Sequence, residues 1–478
     1  MNRIRGRSPN SILVFACLAL AGCAVGPDYH KPDAPVEATY KELDGWRTAQ
    51  PRDALPRGSW WTVFGDPELD GLMKRVDISN QNIKVADARL RQARAVADQA
   101  RAGLFPTLTA NASGIRTKSP NLANQPNFAN GAVNNYAVSL NVPSWEVDLW
   151  GRVRRTVEAD EASWQASAAQ LEAAKLAARG TLAQNYFALR VADTTKRLLE
   201  DTVKAYQRSL ELTQNRYNAG VAARVDVVQA EVQLKSAQAQ LIDVGVERAQ
   251  LEHAIALQLG ELPANFALAP SDLKIAMPRV PLALPSELLE RRPDIAAAER
   301  AMQAANAQIG VAKAAYFPTV SLSSALGYRG TNYLTLFTAP GQFWSLGASA
   351  AETLIDFGAR GAVSNQAIAA YDAQVATYRQ TVLTGFQEVE DNLAALRILE
   401  EEATLQDEVV DAARRAVDLT VNQYSAGVVS YLNVINAQTT ALTNERTAVN
   451  VLGRRLTASV ALIQALGGGW SAEELPRR

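Results

Sequence analysis

From Arg152 to Ala219 the chain contains no proline, and its only glycine is Gly180. From Arg360 to Ala426 proline is again absent, and Gly361 and Gly385 are the only glycines. Both stretches are rich in Ala, Leu, Gln, Glu and Arg, which lose little side-chain freedom in a helix. Proline would remove a backbone hydrogen bond and glycine would add backbone entropy, so neither stretch carries a strong stop. The sequence therefore predicts two α-helices of roughly 67 residues, each about 100 Å long at 1.5 Å per residue. In the second, Val375, Tyr378, Val382, Phe386, Val389, Leu393 and Leu396 step by three or four, the spacing of a coiled-coil seam. A small globular core has no use for helices this long.

The two helices belong to a duplication. A spacing of 207 residues separates Gly151 from Gly358, Tyr217 from Tyr424, Gly220 from Gly427, and Leu259-Gly260 from Leu466-Gly467. Upstream the spacing is 212, between "AGLFPTL" (102–108) and "AAYFPTV" (314–320) and between Asn82-Ile83 and Asp294-Ile295. Each half thus reads helix, Phe-Pro, strand, loop, strand, Gly, long helix, tip turn, helix. The five-residue change falls between Phe-Pro and Gly, which assigns it to loops between strands. The return helices, about 224–259 and 430–466, are half as long as the helices they follow. Short helices over about 80–104 and 293–316 complete the length, so two short helices stacked end to end lie along each long one. Asp66-Pro67 and Pro293 supply helix starts. The first repeat is placed at 66–260 and the second at 286–467, with a Pro-rich mid-height linker at 261–285 and a tail at 468–478.

Four segments alternate with period two. Leu108, Ala110 and Ala112 oppose Thr109, Asn111 and Ser113, and Tyr136, Val138, Leu140 and Val142 oppose Ala137, Ser139 and Asn141. In the second half, Val320, Leu322, Leu326 and Tyr328 oppose Thr319, Ser321, Ser323 and Gly327, and Trp344, Leu346, Ala348 and Ala350 oppose Ser345, Gly347, Ser349 and Ala351. One face is apolar and the other small and polar. Polar loops at 117–135 and 329–342 join the strands. Phe105, Trp150, Tyr316, Phe317 and Phe357 mark the helix–strand junctions, as a membrane-interface girdle would. Four strands cannot close a barrel, and open edges are not tolerated in lipid, so several copies must share one. Two copies would give about eight strands and a filled interior; three would give 12 and an open lumen, which the small inner residues favour.

Residues 1–22 read as a secretory signal, with Arg3, Arg5 and Arg7 before an apolar stretch too short to span a bilayer. Leu20-Ala21-Gly22-Cys23 resembles a bacterial lipobox, which implies cleavage before Cys23, lipidation of Cys23, and an extended lipidated segment over 23–65. Ala24 in place of Asp favours the outer membrane. An ordinary signal peptide with a coincidental cysteine is the alternative. The net charge of −1 gives no electrostatic reason to expect nucleic acid. With only His30 and His253, and no nucleophile-elbow, zinc-protease, redox or phosphate-loop motif, the chain is not read as an enzyme, and neither a metal nor a cofactor beyond the covalent lipid is expected.

The segments "CAVGPDYHKP" (23–32), "WWTVFGDPELDGLM" (60–73), "WEVDLWGRVRR" (145–155), "RYNAG" (216–220), "LPSELLERRPDIAAAE" (284–299), "YFPTVSL" (316–322), "YSAGVVSYLNVINAQ" (424–438) and "ALGGGW" (465–470) together resemble outer-membrane efflux lipoproteins of the NodT type, relatives of TolC. The resemblance spans nearly the whole mature chain. It implies an α+β membrane protein: a homotrimer whose 12-stranded outer-membrane β-barrel continues into a long periplasmic α-helical barrel. It also implies a periplasmic adaptor (a membrane fusion protein), an inner-membrane transporter of the resistance–nodulation–division class, and passive export of drugs and toxic compounds. Under it, Gly220, Val221, Gly427 and Val428 form periplasmic tips that meet the adaptor. Relatives place a Leu and, four residues on, an Asp at the constriction after the second tip; here those positions are Leu432 and Asn436, so the Leu carries over and the Asp does not. Asp226, after the first tip, reads first as a helix N-cap and second as a substitute carboxylate for that gate. Protein secretion, metal-ion efflux and a purely structural periplasmic tether are the competing readings, and the absence of a Met- or His-rich lining gives metal-ion export no support.

Overall fold

The computed structural model describes residues 24–33, 40–42, 59–118, 132–273, 277–278 and 291–476. The signal segment, Cys23, the centre of the 117–135 loop and all of 279–290 lie outside the described residues.

Helix starts follow the local chemistry. The Asp66 carboxylate accepts from the backbone N–H groups of Glu68 (2.9 Å) and Leu69 (3.2 Å), and Pro67 occupies the first position of α1 (Pro67–Ser79). Asn80 ends α1 and caps α2 (Gln81–Ala102), its side-chain oxygen accepting from Asn82 and Ile83. Two strands follow, β1 (Thr109–Thr117) and β2 (Val133–Glu146), then α3 (Arg152–Asn218) and α4 (Arg224–Gln258). The second half repeats the order with α5 (Pro293–Ala314), β3 (Thr319–Gly330), β4 (Gln342–Ala351), α6 (Ala359–Ser425) and α7 (Tyr431–Ala465). Corresponding helices have equal lengths: 22 residues in α2 and α5, 67 in α3 and α6, 35 in α4 and α7. The duplication is therefore preserved in three dimensions. Among the described residues no helix is long and apolar enough to cross a membrane.

Helix α3 packs against α2 and α5 along one half of its length and against α4 and α7 along the other, and α6 packs against α5 and α7. The short helices thus stack in pairs, α2 over α4 and α5 over α7. The Asn80 Nδ2 donates to the Gln258 carbonyl at 2.7 Å in one stack, and the Arg292 Nη1 donates to the Ala465 carbonyl at 3.1 Å in the other. Asn80 and Arg292 are repeat equivalents, as are Gln258 and Ala465. Gly260 and Gly467 close the same junctions with positive φ (65° and 87°). A Cβ at Gly260 would lie 2.5 Å from the Ser79 carbonyl oxygen, and one at Gly467 would lie 2.0 Å from that of Arg291.

The main core sits at these junctions. Trp60, Leu69, Met73 and Val76 pack with Leu182, Tyr186, Phe187, Ile255, Leu456 and Ile463, all buried. Each such aliphatic or aromatic side chain contributes about 1.5–3 kcal/mol by leaving water. The segment 266–273, after α4, is clamped to the same level. Buried Arg190 donates to Asp193 (2.8 Å) and the Ala269 carbonyl (2.9 Å) and pairs with Glu68; Arg248 donates to Asp193 (2.7 Å) and the Leu268 carbonyl (2.5 Å). The α6 seam read from sequence is packed: Tyr378, Val382, Val389, Leu393 and Leu396 are buried, and Val375 and Phe386 pack beside them.

The four strands form one antiparallel sheet in the order β1-β2-β3-β4. The strands run further into the loops than the alternation indicates. Thr117 pairs with Val133, and Ile115 with Asn135, so the loop read at 117–135 is narrower than expected. Likewise Arg329 and Gly330 belong to β3 and Gln342 to β4. The paired backbone groups satisfy each other whatever the side-chain polarity, so alternation underestimates strand length. β2 also continues past Val142 to Glu146 through a register shift between Val142 and Trp145, where Pro143 cannot donate to the ladder.

Candidate functional site

Strand register decides whether the four apolar rows share a face. Ala110 pairs with Leu140, Leu140 with Leu326, and Leu326 with Trp344; Ala112, Val138 and Tyr328 form the adjacent row. All four rows therefore lie on one side of the sheet, with Thr109, Asn111, Ser139, Asn141, Ser321, Ser323, Ser345 and Ser349 on the other. The apolar side is uncovered: Leu140, Leu322, Leu326, Trp344 and Leu346 are exposed. The opposite side carries side chains that bond to one another, as Ser321 and Ser349 do at 2.9 Å. Among the described residues, the outer edges of β1 and β4 have no partner strand.

The junction aromatics sit beneath the sheet. Trp150 stacks on Phe317 with ring centroids 4.8 Å apart and donates its indole N–H to the Pro318 carbonyl. Phe105, Tyr316 and Phe357 are exposed, and the Arg360 guanidinium lies over the Tyr316 ring at 5.5 Å. Gly151 and Gly358, both with positive φ, turn the chain into the long helices. Asp148 accepts from the N–H groups of Val153 and Arg154, and Asp356 from those of Gly358 and Arg360, placing a carboxylate on each helix start. A side-chain hydrogen bond from Arg360, then the backbone N–H bonds, hold the Asp356 carboxyl down at about 2.

At the far end are the two tips. Gly220 (φ 74°) and Gly427 (φ 79°) adopt the left-handed conformation, with Val221 N donating to the Arg216 carbonyl and Val428 N to that of Gln423, both at 2.9 Å. These are Schellman closures, for which glycine is the least strained residue. Val221 and Val428 project from the turns and are exposed. Leu432 and Asn436 lie one turn apart on the solvent face of α7, while Tyr431, Val434 and Gln438 occupy its buried face. A Leu left 51% exposed beside an exposed Asn is an uncovered surface and not part of the protomer core.

Asp226 is not an N-cap. Ala223 holds that position without a side-chain bond, and Asp226 falls in the first turn of α4, where its charge still complements the helix dipole. It lies near Tyr431, whose hydroxyl is pushed up mainly by burial and slightly by that carboxylate. Sequence reasoning also missed the bond joining the tips. Arg216 Nη1 donates to the Ser425 carbonyl at 2.6 Å, and its guanidinium lies 4.9 Å from the Tyr424 ring centre, which packs on Tyr431. The available signal was the repeat position itself, Arg216 in one half and Gln423 in the other.

Comparison with known proteins agrees with this geometry. The profile of the outer membrane efflux protein family matches residues 72–261 and 284–468, one match per repeat. The probable efflux pump outer membrane protein TtgC of Pseudomonas putida is 32% identical over 461 residues, covering 96% of this chain and 95% of that protein. The solvent efflux pump outer membrane protein SrpC of Pseudomonas putida is 33% identical over 479 residues, covering 97% and 99%. The solved outer-membrane channel OprN superposes with a TM-score of 0.87 at 32% identity, over 94% of this chain and all of that one. With both repeats matched and relatives aligned over nearly their full length, the chain belongs to the outer membrane efflux protein family.

Proposed function

We propose that three copies of this chain form a TolC-like outer-membrane channel that passively exports drugs and other toxic small molecules delivered by an inner-membrane pump of the resistance–nodulation–division class through a periplasmic adaptor. One observation carries the reading: a four-stranded sheet with an uncovered apolar face, a small polar face and two edges unpaired among the described residues, joined to helices of 67 residues. Lipid accepts the apolar face but not the edges, so the sheet must close with copies of itself, and three give a 12-stranded barrel. The helices carry the lumen about 100 Å from the membrane. Energy comes from the pump; the channel needs only to open.

The position of the N-terminal segment supports lipidation of Cys23. Val25 N donates to the Trp150 carbonyl at 2.9 Å, and Ala24 lies against Gly151, so the described N-terminal segment begins at the level of the aromatic band. A lipid on Cys23 would enter the bilayer beside the barrel and supplement its anchorage. At the other end, Val221 and Val428 are apolar contacts for the adaptor. Leu432 and Asn436 from three copies face one another as the resting constriction. Asn436 does not titrate, so closure should be flat through the carboxylate range, about pH 3–6. A pH-dependent closure abolished by Asp226→Asn would transfer that role to Asp226.

In a host deleted for this chain, cells should accumulate an amphipathic fluorescent dye, and the wild-type chain should restore its export. Unchanged accumulation on deletion, together with a tethered but non-conducting lipoprotein, would favour the structural rod.

A further inference from the structure

Resting on the reading that the helices point into the periplasm and the opposite end of the sheet faces outward, we infer that the outer rim of the sheet docks an outer-leaflet lipid with a phosphorylated head group. From Pro106 to Trp145 and from Pro318 to Ala351 the sequence holds Arg116, Lys118 and Arg329 but no Asp or Glu. All three stand at the end of the sheet remote from the helices. The nearest acids, Glu146, Asp148, Glu352 and Asp356, lie at the helix end, where Arg152, Arg154 and Arg360 pair with three of them. The rim therefore carries positive charge that its own segments do not neutralise.

Register divides the three cations between the two sides. Arg116 shares the parity of Ala110 and Ala112, so it lies on the apolar side, in the next row beyond Gly114 and Tyr136. Lys118 follows β1 directly, and both are exposed. Arg329 lies on the polar side, its guanidinium 5.3 Å from the centre of the Phe343 ring. Beneath Arg116 stands a shelf of aromatic rings. Residues 331–341 fold onto the apolar side of the sheet: Tyr333 packs on Tyr136 with ring centroids 6.0 Å apart, and Phe337 on Tyr328 at 5.5 Å. Tyr333, Leu334 and Phe337 are still 65%, 76% and 67% exposed, so the shelf offers more apolar surface than it covers. From rim to helix end the apolar side thus reads cation, aromatic ring, then Leu326, Trp344, Leu346 and Leu322. A phosphorylated lipid reads phosphate, polar backbone, acyl chain in the same order. The depth agrees. Arg116 is eight residues beyond Leu108, roughly 27 Å along the strand, or roughly 21 Å of height at a tilt of about 40°. The apolar band of an outer-membrane barrel is about 25 Å tall, so Arg116 stands at head-group level. An Arg fork accepts a phosphate through two parallel hydrogen bonds, and Lys118 adds a second positive charge.

Native mass spectrometry of the purified protein in detergent reads bound lipid directly. The probes are a bisphosphorylated, multiply acylated disaccharide lipid and the same lipid stripped of its phosphates. Each cation at a surface of anionic head groups strengthens binding about fivefold, so the wild type should prefer the phosphorylated probe by about 25-fold. Arg116→Gln/Lys118→Gln should lose that preference, whereas Arg329→Gln, which removes the same charge from the polar side, should keep it. The preference should also shrink as salt is raised. Equal binding of the two probes by the wild type, or the same loss in Arg329→Gln as in the double variant, would overturn the inference and leave the channel standing. Orientation is read separately. Thr331→Cys should react with a membrane-impermeant maleimide on intact cells. Reaction only after the outer membrane is permeabilised would overturn the outward placement of this end, and the inference with it.

Discussion

Glycines show how one residue can carry a joint. A Cβ at Gly260 or Gly467 would meet a backbone oxygen at 2.5 or 2.0 Å, whereas Gly220 has open space around it. All three have positive φ, which costs a residue with a Cβ about 1–2 kcal/mol. Gly220→Ala should therefore cost about that much, and Gly467→Ala clearly more, because backbone must shift as well. Thermal unfolding of the two variants checks the order; equal losses would show that the stacked junction relaxes freely. Asp356 gives the pH counterpart. Its folded-state carboxyl titrates at about 2, below the ordinary carboxylate value, so its stabilisation of the α6 start is present in full above about pH 4 and is lost as pH falls through about 2. Hydrogen exchange across residues 356–362 should show that end fraying only under such acidity, and at neutral pH in Asp356→Ala. Protection unchanged in the variant would remove the carboxylate's role.

Helices and strands were legible in the sequence because their patterns are long and repeated. The two 67-residue helices, their 35-residue returns and the apolar face of all four strands follow from proline placement and periodicity. What stayed hidden were contacts between distant positions. Nothing local in Asn80 or Arg292 announces that both bond the end of a helix stacked beneath them, or that Arg216 reaches across to Ser425. Strand ends were hidden because backbone pairing continues through polar residues, and Asp226 was misplaced by one turn chemistry for another. The Arg190–Asp193–Arg248 cluster was invisible for the same reason, since its members come from two helices. Removing Asp193 leaves two guanidinium groups without their shared partner, one of them fully buried, and Asp193→Ala should cost about 3–5 kcal/mol in denaturant unfolding. A loss under about 1 kcal/mol would mean water replaces the carboxylate there. At the tips, Arg216→Gln removes the ion's hold on Tyr424 and copies the residue of the other repeat, and it should raise the resting conductance. No rise would leave the tips held by Tyr424 and Tyr431 packing alone.

The molecule as a whole makes sense only in company. Among its described residues a single chain presents an apolar sheet face, two strand edges without a partner and an exposed Leu432 at a helical tip. Each feature is a liability in a monomer, and in the proposed ring it becomes a working surface that faces lipid, a neighbour or the axis respectively. The family assignment supports the outer membrane and the efflux role, and the constriction proposed for it is formed by Leu432 and Asn436. The deciding measurement is the conductance of the purified protein in a planar bilayer, wild type against Leu432→Ala/Asn436→Ala. Low wild-type conductance that rises in the double variant is the predicted result, since the side chains closing the axis have been cut back. Absence of any conductance in both, from protein shown to be inserted, would contradict the channel itself.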